Sequence, residues 1–292
     1  MRFSVVIPTM RREAILEATL ESLQQCEPKP AEVIVIDADA EGSSEPVVTA
    51  FDQQVAPAVR YLRTPPSLTR QRNIGIDDVS GDVIVFLDDD VSIQPELFEL
   101  LEEAYRDPGV VGVTGRVIEP ESRRRLGPAS ALRRLLPGGG REGTFTRYGY
   151  PRYLRDLSRP LDVEFMQGCF MSARREAAAA VRFDEHMGGY ALAEDEDFSF
   201  RLSQLGRIRY LPELVVRHRK LGFGSADERR FGRLVVVNRA YLFRKNFRRT
   251  PLARAQFAMF VALLVGHRLL NREWRGAQGL LEGAYQVLRG RS

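Results

Sequence analysis

Three consecutive carboxylates, Asp88, Asp89 and Asp90, follow directly on the apolar run Val83-Ile84-Val85-Phe86-Leu87. Like charges repel, and a carboxylate beside a core is costly unless paired. A divalent cation supplies the missing charge. Mg²⁺ or Mn²⁺ takes oxygen ligands and keeps positions open for phosphate oxygens. In an extended chain alternate side chains share a face, which favours Asp88 and Asp90 as the ligating pair. The bland alternative is a solvated acidic turn. A second run, Glu194-Asp195-Glu196-Asp197, precedes the helically spaced Phe198 and Leu202. Favourable placement at a helix N-terminus explains one or two of these acids, not four. His218, just past the strand-like Leu214-Val215-Val216, adds an imidazole that can bind a divalent metal. His186 and His267 have no comparable context.

The elements that must position these groups alternate strand and helix. Phe3 to Ile7 reads as a strand ended by Pro8, and Glu13 to Gln25 as a helix with Leu16, Leu20 and Leu23 on one face. Val33 to Ile36 is a second strand ending at Asp37, and Val59 to Leu62 a third. Arg70 to Val79 reads as a helix stopped by Ser80-Gly81, and Val83 to Leu87 as the next strand. Leu97 to Tyr105 is helical, and Val110 to Val113 is apolar again. This order predicts a mostly parallel sheet covered on both faces, with ligands bound at the carboxyl ends of its strands. Asp37 and Asp88 both stand at such ends.

The segment from Arg123 to Arg159 is rich in Arg, Gly and Pro and reads as a mobile surface loop or a flap over the site. The expected division is therefore a catalytic domain over residues 1–220, with a flexible loop at about 120–160, and a helical region over 221–292. In the latter, Leu234 to Phe243 and Leu252 to Leu270 are the strongest helical stretches. The apolar core of the second, Ala258 to Val265, is bracketed by Arg254 and Arg268. That falls short of the roughly 20 apolar residues of a membrane span. Packing against the core, a homodimer surface and peripheral contact with an anionic membrane are the readings it leaves.

With 292 residues, 44% of them apolar, the chain can bury a sizeable core, and 28% charged residues do not make a disordered composition. The formal net charge is +4, carried almost wholly by arginine; Lys29, Lys220 and Lys245 are the only lysines. The basic residues lack interleaved aromatic platforms and acids nearly balance them, which argues against nucleic acid as a partner. Cys26 and Cys169 form no metal spacing and no disulfide framework, and the N-terminus has no cleavable signal pattern. Both fit a reducing, cytoplasmic setting.

The chain resembles the inverting family 2 glycosyltransferases of the GT-A fold. Ser4-Val5-Val6-Ile7-Pro8-Thr9 resembles that family's first strand, Glu32 to Asp37 its second, and Arg72-Asn73-Ile74-Gly75 its Arg-Asn-x-Gly segment. Gly81 to Asp90 is similar to its Asp-x-Asp strand, Gln167-Gly168-Cys169-Phe170 to its acceptor-side strand, and Phe183-Asp184-Glu185 with Glu194 to Asp197 to its catalytic-acid segment. The resemblance spans roughly residues 3 to 220 and implies an α/β fold, Rossmann-like, with a C-terminal helical appendage.

The resemblance implies metal-dependent transfer of a hexose-like sugar from a nucleoside diphosphate sugar to a hydroxyl of a saccharide or lipid-linked acceptor. It implies Mn²⁺ or Mg²⁺ on Asp88, Asp90 and His218. Asp195 is the implied base, with Glu194 orienting it or touching acceptor. Pro8, Thr9, Arg11, Asp37, Asp39, Arg70, Arg72, Asp88 and Asp89 are implied for the donor, and Gln167, Gly168 and Cys169 for the acceptor side. Asp37-Ala38-Asp39-Ala40 departs from the family's Asp-Gly-Ser turn, so either acid is open to the nucleotide base. The work would be done in the cytoplasm or at the inner face of the cell membrane. The rival readings are a sugar-nucleotide nucleotidyltransferase, against which the lack of a glycine-rich phosphate loop counts, and a non-catalytic nucleotide-binding module.

Overall fold

The computed structural model describes residues 1–52, 58–120, 141–154, 158–187, 191–219 and 228–290. Two compact units divide the chain: residues 1–120 with 154–221, and residues 121–153 with 222–292. The first unit begins with strands β1 (Phe3–Thr9), β2 (Glu32–Asp37), β3 (Ala58–Arg63) and β4 (Val83–Leu87). Between them lie helices α1 (Glu13–Gln24), α2 (Glu45–Asp52) and α3 (Leu68–Asp78). There follow β5 (Val91–Ile93), α4 (Leu97–Tyr105), β6 (Val110–Ile118), β7 (Leu161–Val163), β8 (Phe170–Arg174), α5 (Arg175–Val181), α6 (Glu194–Ser203) and β9 (Arg207–His218).

Among the described residues the strands form one sheet in the order β3-β2-β1-β4-β8-β6-β9-β5, with β7 also on β9. The β3-β2-β1-β4 block is parallel. Beyond β4 the sheet is mixed: β8 runs antiparallel to both β4 and β6, and β6 parallel to β9. The apolar strands are continuous because both faces are covered. Val5, Val33 and Val85 face a layer with α1 and α4, while Val6, Ile34 and Phe86 face one with α3 and α6.

Two local features set the site's frame. Ser67 caps α3 by accepting the Arg70 N–H, and Gly75 lets α3 settle onto β1. A Cβ at Gly75 would lie 2.8 Å from Val6 Cγ2 and closer still to Cγ1. Second, β5 runs antiparallel to the end of β9 with Val91 opposite His218. That register brings an imidazole more than a hundred residues distant beside Asp90.

In the second unit, helices α7 (Glu228–Asn246), α8 (Pro251–Leu270) and α9 (Trp274–Leu288) pack with residues 141–153. Phe260 meets Tyr150 at 4.8 Å and Tyr148 at 5.6 Å between ring centroids, and Phe243 stacks on Phe257 at 5.4 Å. Residues 141–153 are thus held by aromatic contacts; the 121–140 part of the arginine-rich loop lies outside the described residues. Helix α8, capped by Thr250 with Pro251 in its first turn, runs for 20 residues. By length and composition it is long and apolar enough to cross a membrane. The apolar run counted from sequence is only Ala258 to Val265, whereas the helix also carries Pro251 to Ala253 before Arg254 and Leu269 and Leu270 after Arg268.

A methyl group at position 75 has no room without displacing α3. Gly75→Ala is expected to lower stability by about 1–3 kcal/mol, read as a fall in the urea midpoint at unchanged slope.

Candidate active site

The carboxyl ends of β1, β2 and β4 carry Thr9, Asp37 and Asp88. Alternation along the chain separates the three consecutive acids. Asp88, Asp90 and His218 each offer a ligand atom within 4.8 Å of the other two. His218 Nε2 lies 3.0 Å from Asp90 Oδ1, and Glu119 lies 3.6 Å from His218 Nδ1. Asp89 turns the other way and accepts from Thr9 Oγ1 at 2.8 Å and Arg12 Nη1 at 3.0 Å. The same Arg12 nitrogen reaches Asp90 at 3.4 Å.

Burial, first, with Asp90 and Asp89 adding to it against the opposition of Arg72, pushes the Asp88 carboxyl up to about 6. His218 is raised too, chiefly by its hydrogen bond to Asp90. Ligands about 2.1 Å from a common ion lie at most about 4.2 Å apart, so an adjustment of about half an ångström closes this triad around a cation. Two carboxylates and one imidazole suit Mn²⁺ or Mg²⁺ by donor chemistry.

Arg72, on α3, is 1% exposed and binds the site together. Its Nη1 donates to Glu194 Oε1 at 2.7 Å, and its Nη2 to Asp88 Oδ1 at 3.1 Å and the Gly168 carbonyl at 2.9 Å. Gly168 N–H in turn donates to Asp195 Oδ2 at 2.9 Å, and Glu196 N–H to Asp195 Oδ1 at 2.9 Å. Asp88, Glu194 and Asp195 are thus joined through one guanidinium and one glycine. Burial and then the charge of Asp195 raise the Glu194 carboxyl, and Arg72 opposes them. Just before α6, Ala191 (φ +48°) and Ala193 (φ +73°) hold left-handed backbone conformations that presentation of these acids requires.

The turn entering β8 has exposed Gln167, half-buried Gly168 and buried Cys169. The Cys169 carbonyl accepts the Asp88 N–H at 3.2 Å. Its thiol is raised well above the usual range by burial and then by Asp88, Asp195, Glu119 and Asp90, so four carboxylates surround this one point.

At the β1–β2 end the two candidate acids differ. Asp37 is fully buried and accepts from Asp39 N–H, Ser44 N–H and the Tyr61 hydroxyl. Asp39 accepts from Arg11 Nε at 3.0 Å, and the Arg11 side chain is 67% exposed. Pro8 is buried opposite Ile36 in the sheet. Arg70 is half-exposed and pairs with Glu185 at 3.3 Å. Asn73 fastens that segment by donating to the Phe183 carbonyl and Glu185 and accepting the Phe183 N–H.

Arg12 and Glu119 were not among the residues singled out from sequence. Glu119 follows directly on β6, so it is a third strand-end acid and the signal used for Asp37 and Asp88 could have found it. Nothing in the sequence separates Arg12 from its neighbour Arg11; the left-handed Arg11 (φ +55°) points the two side chains apart.

The sequence model of glycosyl transferase family 2 matches residues 4–182. That is more than half of the chain, which belongs to this family. It is 29% identical over 230 residues to the succinoglycan biosynthesis protein ExoM of Rhizobium meliloti, covering 74% of this chain and 66% of that one. It is 30% identical over 92 residues to the GalNAc(5)-diNAcBac-PP-undecaprenol beta-1,3-glucosyltransferase of Campylobacter jejuni, covering 30% of this chain and 29% of that one. The chain therefore spans two thirds or less of the length of these curated relatives. The mannosyltransferase PcManGT from Pyrobaculum calidifontis, solved with GDP-Man and Mn²⁺, superposes with a TM-score of 0.63 at 15% identity, over 100% of this chain and 88% of that one. The fold is GT-A.

Removing Arg72 strands two buried carboxylates. Arg72→Met is expected to cost about 3–5 kcal/mol of stability in urea unfolding. The double variant Arg72→Met with Glu194→Gln should recover part of that loss, because one uncompensated charge is gone.

Proposed function

We propose that the protein transfers a sugar from a nucleoside diphosphate sugar to a hydroxyl group of a saccharide or lipid-linked acceptor, inverting the anomeric centre, at a site that requires a divalent cation. The observation that carries this reading is the contact chain from Asp195 through Gly168 and Arg72 to Asp88, which joins a proton acceptor to a cation-binding cluster in one unit. Asp88, Asp90 and His218 would hold Mn²⁺ or Mg²⁺, which when bound offsets the charge gained by the diphosphate leaving group.

The chain's own groups supply the rest. Arg11, largely exposed beside Asp39, is the cation assigned to the nucleotide, and Asp39 rather than the internally bonded Asp37 is the acid assigned to its base. Thr9 and Asp89 brace one another, so they act by fixing the end of β1 against the acidic cluster. Arg72 is enclosed by protein groups and positions Asp88 and Glu194 instead of touching donor. Asp195 takes the acceptor proton; its two oxygens are aimed by the backbone N–H groups of Gly168 and Glu196. A single displacement with one base inverts the reacting carbon and needs no second nucleophile. Gly168 borders Asp195, and with Gln167 and Cys169 it is assigned to the acceptor side.

A relative named for succinoglycan biosynthesis supports a saccharide acceptor, and one named for an undecaprenol-linked substrate supports a lipid-linked one. Buried, unpaired Cys26 and Cys169 fit a cytoplasmic setting.

Calorimetric titration with a panel of nucleoside diphosphates, with and without Mn²⁺, identifies the nucleotide; a flat response throughout would remove the donor assignment. Asp195→Asn is expected to lose about 10²–10⁴-fold in turnover while donor binding persists. Asp90→Asn should lose Mn²⁺ binding. Undiminished turnover in Asp195→Asn, or release of pyrophosphate in place of nucleoside diphosphate, would overturn the reading.

A further inference from the structure

The second unit is built inside out by the standards of a soluble helical bundle. Helix α9 meets α7 through its small residues. A Cβ at Gly279 would overlap the Arg229 carbonyl, and one at Gly283 would lie 2.7 Å from the Arg233 carbonyl. With glycines inward, the large residues point out. Trp274, Leu281, Tyr285 and Leu288 recur at helical spacing on one stripe and are 64%, 56%, 55% and 86% exposed.

Helix α8 repeats the pattern. Its inner side supplies Ala253 and Phe260 to the aromatic cluster with Tyr148 and Phe243. Its outer side carries Leu252, Ala255, Met259, Ala262 and Leu270, all exposed, and the helix contains no acidic residue. A helix apolar on both sides is stable only where both sides are covered.

Charge identifies the cover. The described residues of this unit hold sixteen arginines and lysines, three in 141–153 and thirteen in 228–290, against four glutamates. Two of those glutamates are already paired, Glu273 with Arg268 and Glu282 with Arg229. Exposed Arg248, Arg249 and Arg254 stand at the start of α8, and exposed Arg272 and Arg275 beyond its end. A second copy would bring like charge against like charge. An anionic lipid surface offers hydrocarbon for the stripe and phosphate for the arginines.

We infer that the α8–α9 face docks in the plane of a bilayer rich in anionic phospholipid. Helix α8 lies in the interface and does not cross it, since its inner side is packed against its own unit's aromatic residues. Trp274 and Tyr285 sit at headgroup depth, where amphipathic rings are favoured. This inference is independent of the donor and acceptor proposed above.

Trp274 is the chain's only tryptophan, so its fluorescence reports on this face alone. Full-length protein would be mixed with vesicles of phosphatidylcholine, or of phosphatidylcholine with about one third phosphatidylglycerol, and sedimented. The expected result is at least about ten-fold stronger partitioning to the anionic vesicles, with Trp274 emission moving to shorter wavelength and partitioning falling as salt is raised. Each cation near the surface contributes about five-fold, so Arg248→Glu with Arg249→Glu should weaken partitioning by about 25-fold or more. The exposed triple change Leu281→Ser, Tyr285→Ser and Leu288→Ser should weaken it by about ten-fold or more at an unchanged melting temperature. Equal partitioning to both vesicles, or none to either, would overturn the inference. So would a concentration-dependent dimer that the triple change disrupts in protein that ignores vesicles.

Discussion

The buried guanidinium of Arg72 is the contact on which the catalytic unit depends. Taking an arginine out of water is expensive, and only charged partners with good geometry make it tolerable. Here one nitrogen faces Glu194 and another faces Asp88 and the Gly168 carbonyl. Phe183 lies against the guanidinium at 5.2 Å. A lysine could not do this, since a single ammonium lacks the planar fork that points two ways at once. The helix bearing Arg72 must sit close to β1, which is why a glycine three residues later faces Val6. Packing of α3 and alignment of the acids are therefore one constraint.

Around that cation the acids are in excess. Asp88, Asp89, Asp90, Glu119, Glu194 and Asp195 converge where Arg12 and Arg72 are the bonded arginines. On the proposed reading, such a pocket would repel a diphosphate alone, and a divalent ion held there would turn that repulsion into binding.

The parallel half of the sheet was legible because its strands are uninterrupted apolar runs closed by acids, a pattern local in sequence. Strand β5, three residues long, and the pairing of β9 with β5 and β6 were not, since such pairings join residues far apart in the chain. Residue chemistry was legible where direction was not. Arg72 was read as a charge for the nucleotide, and its type alone could not show that it turns inward to carboxylates. Residue type likewise could not show that Asp37 accepts from Tyr61 and Ser44 within its own unit. Helix α9 lies in the region expected to be helical, but nothing there singled out Gly276, Gly279 and Gly283, which are the surface by which it packs.

The net charge of +4 conceals a division. Among described residues the catalytic unit holds nineteen arginines and lysines against thirty-two acids, and the other unit sixteen against four. Averaged over the chain the two nearly cancel, so composition alone pointed nowhere. Taken separately, each explains itself. The proposed cation site concentrates acids, and a unit with that field is pushed away from anionic surfaces. Attraction to such a surface has to come from residues outside it, and the arginine-rich helices supply it. Arginine suits both tasks, since its fork meets carboxylates inside the first unit and would meet lipid phosphates outside the second.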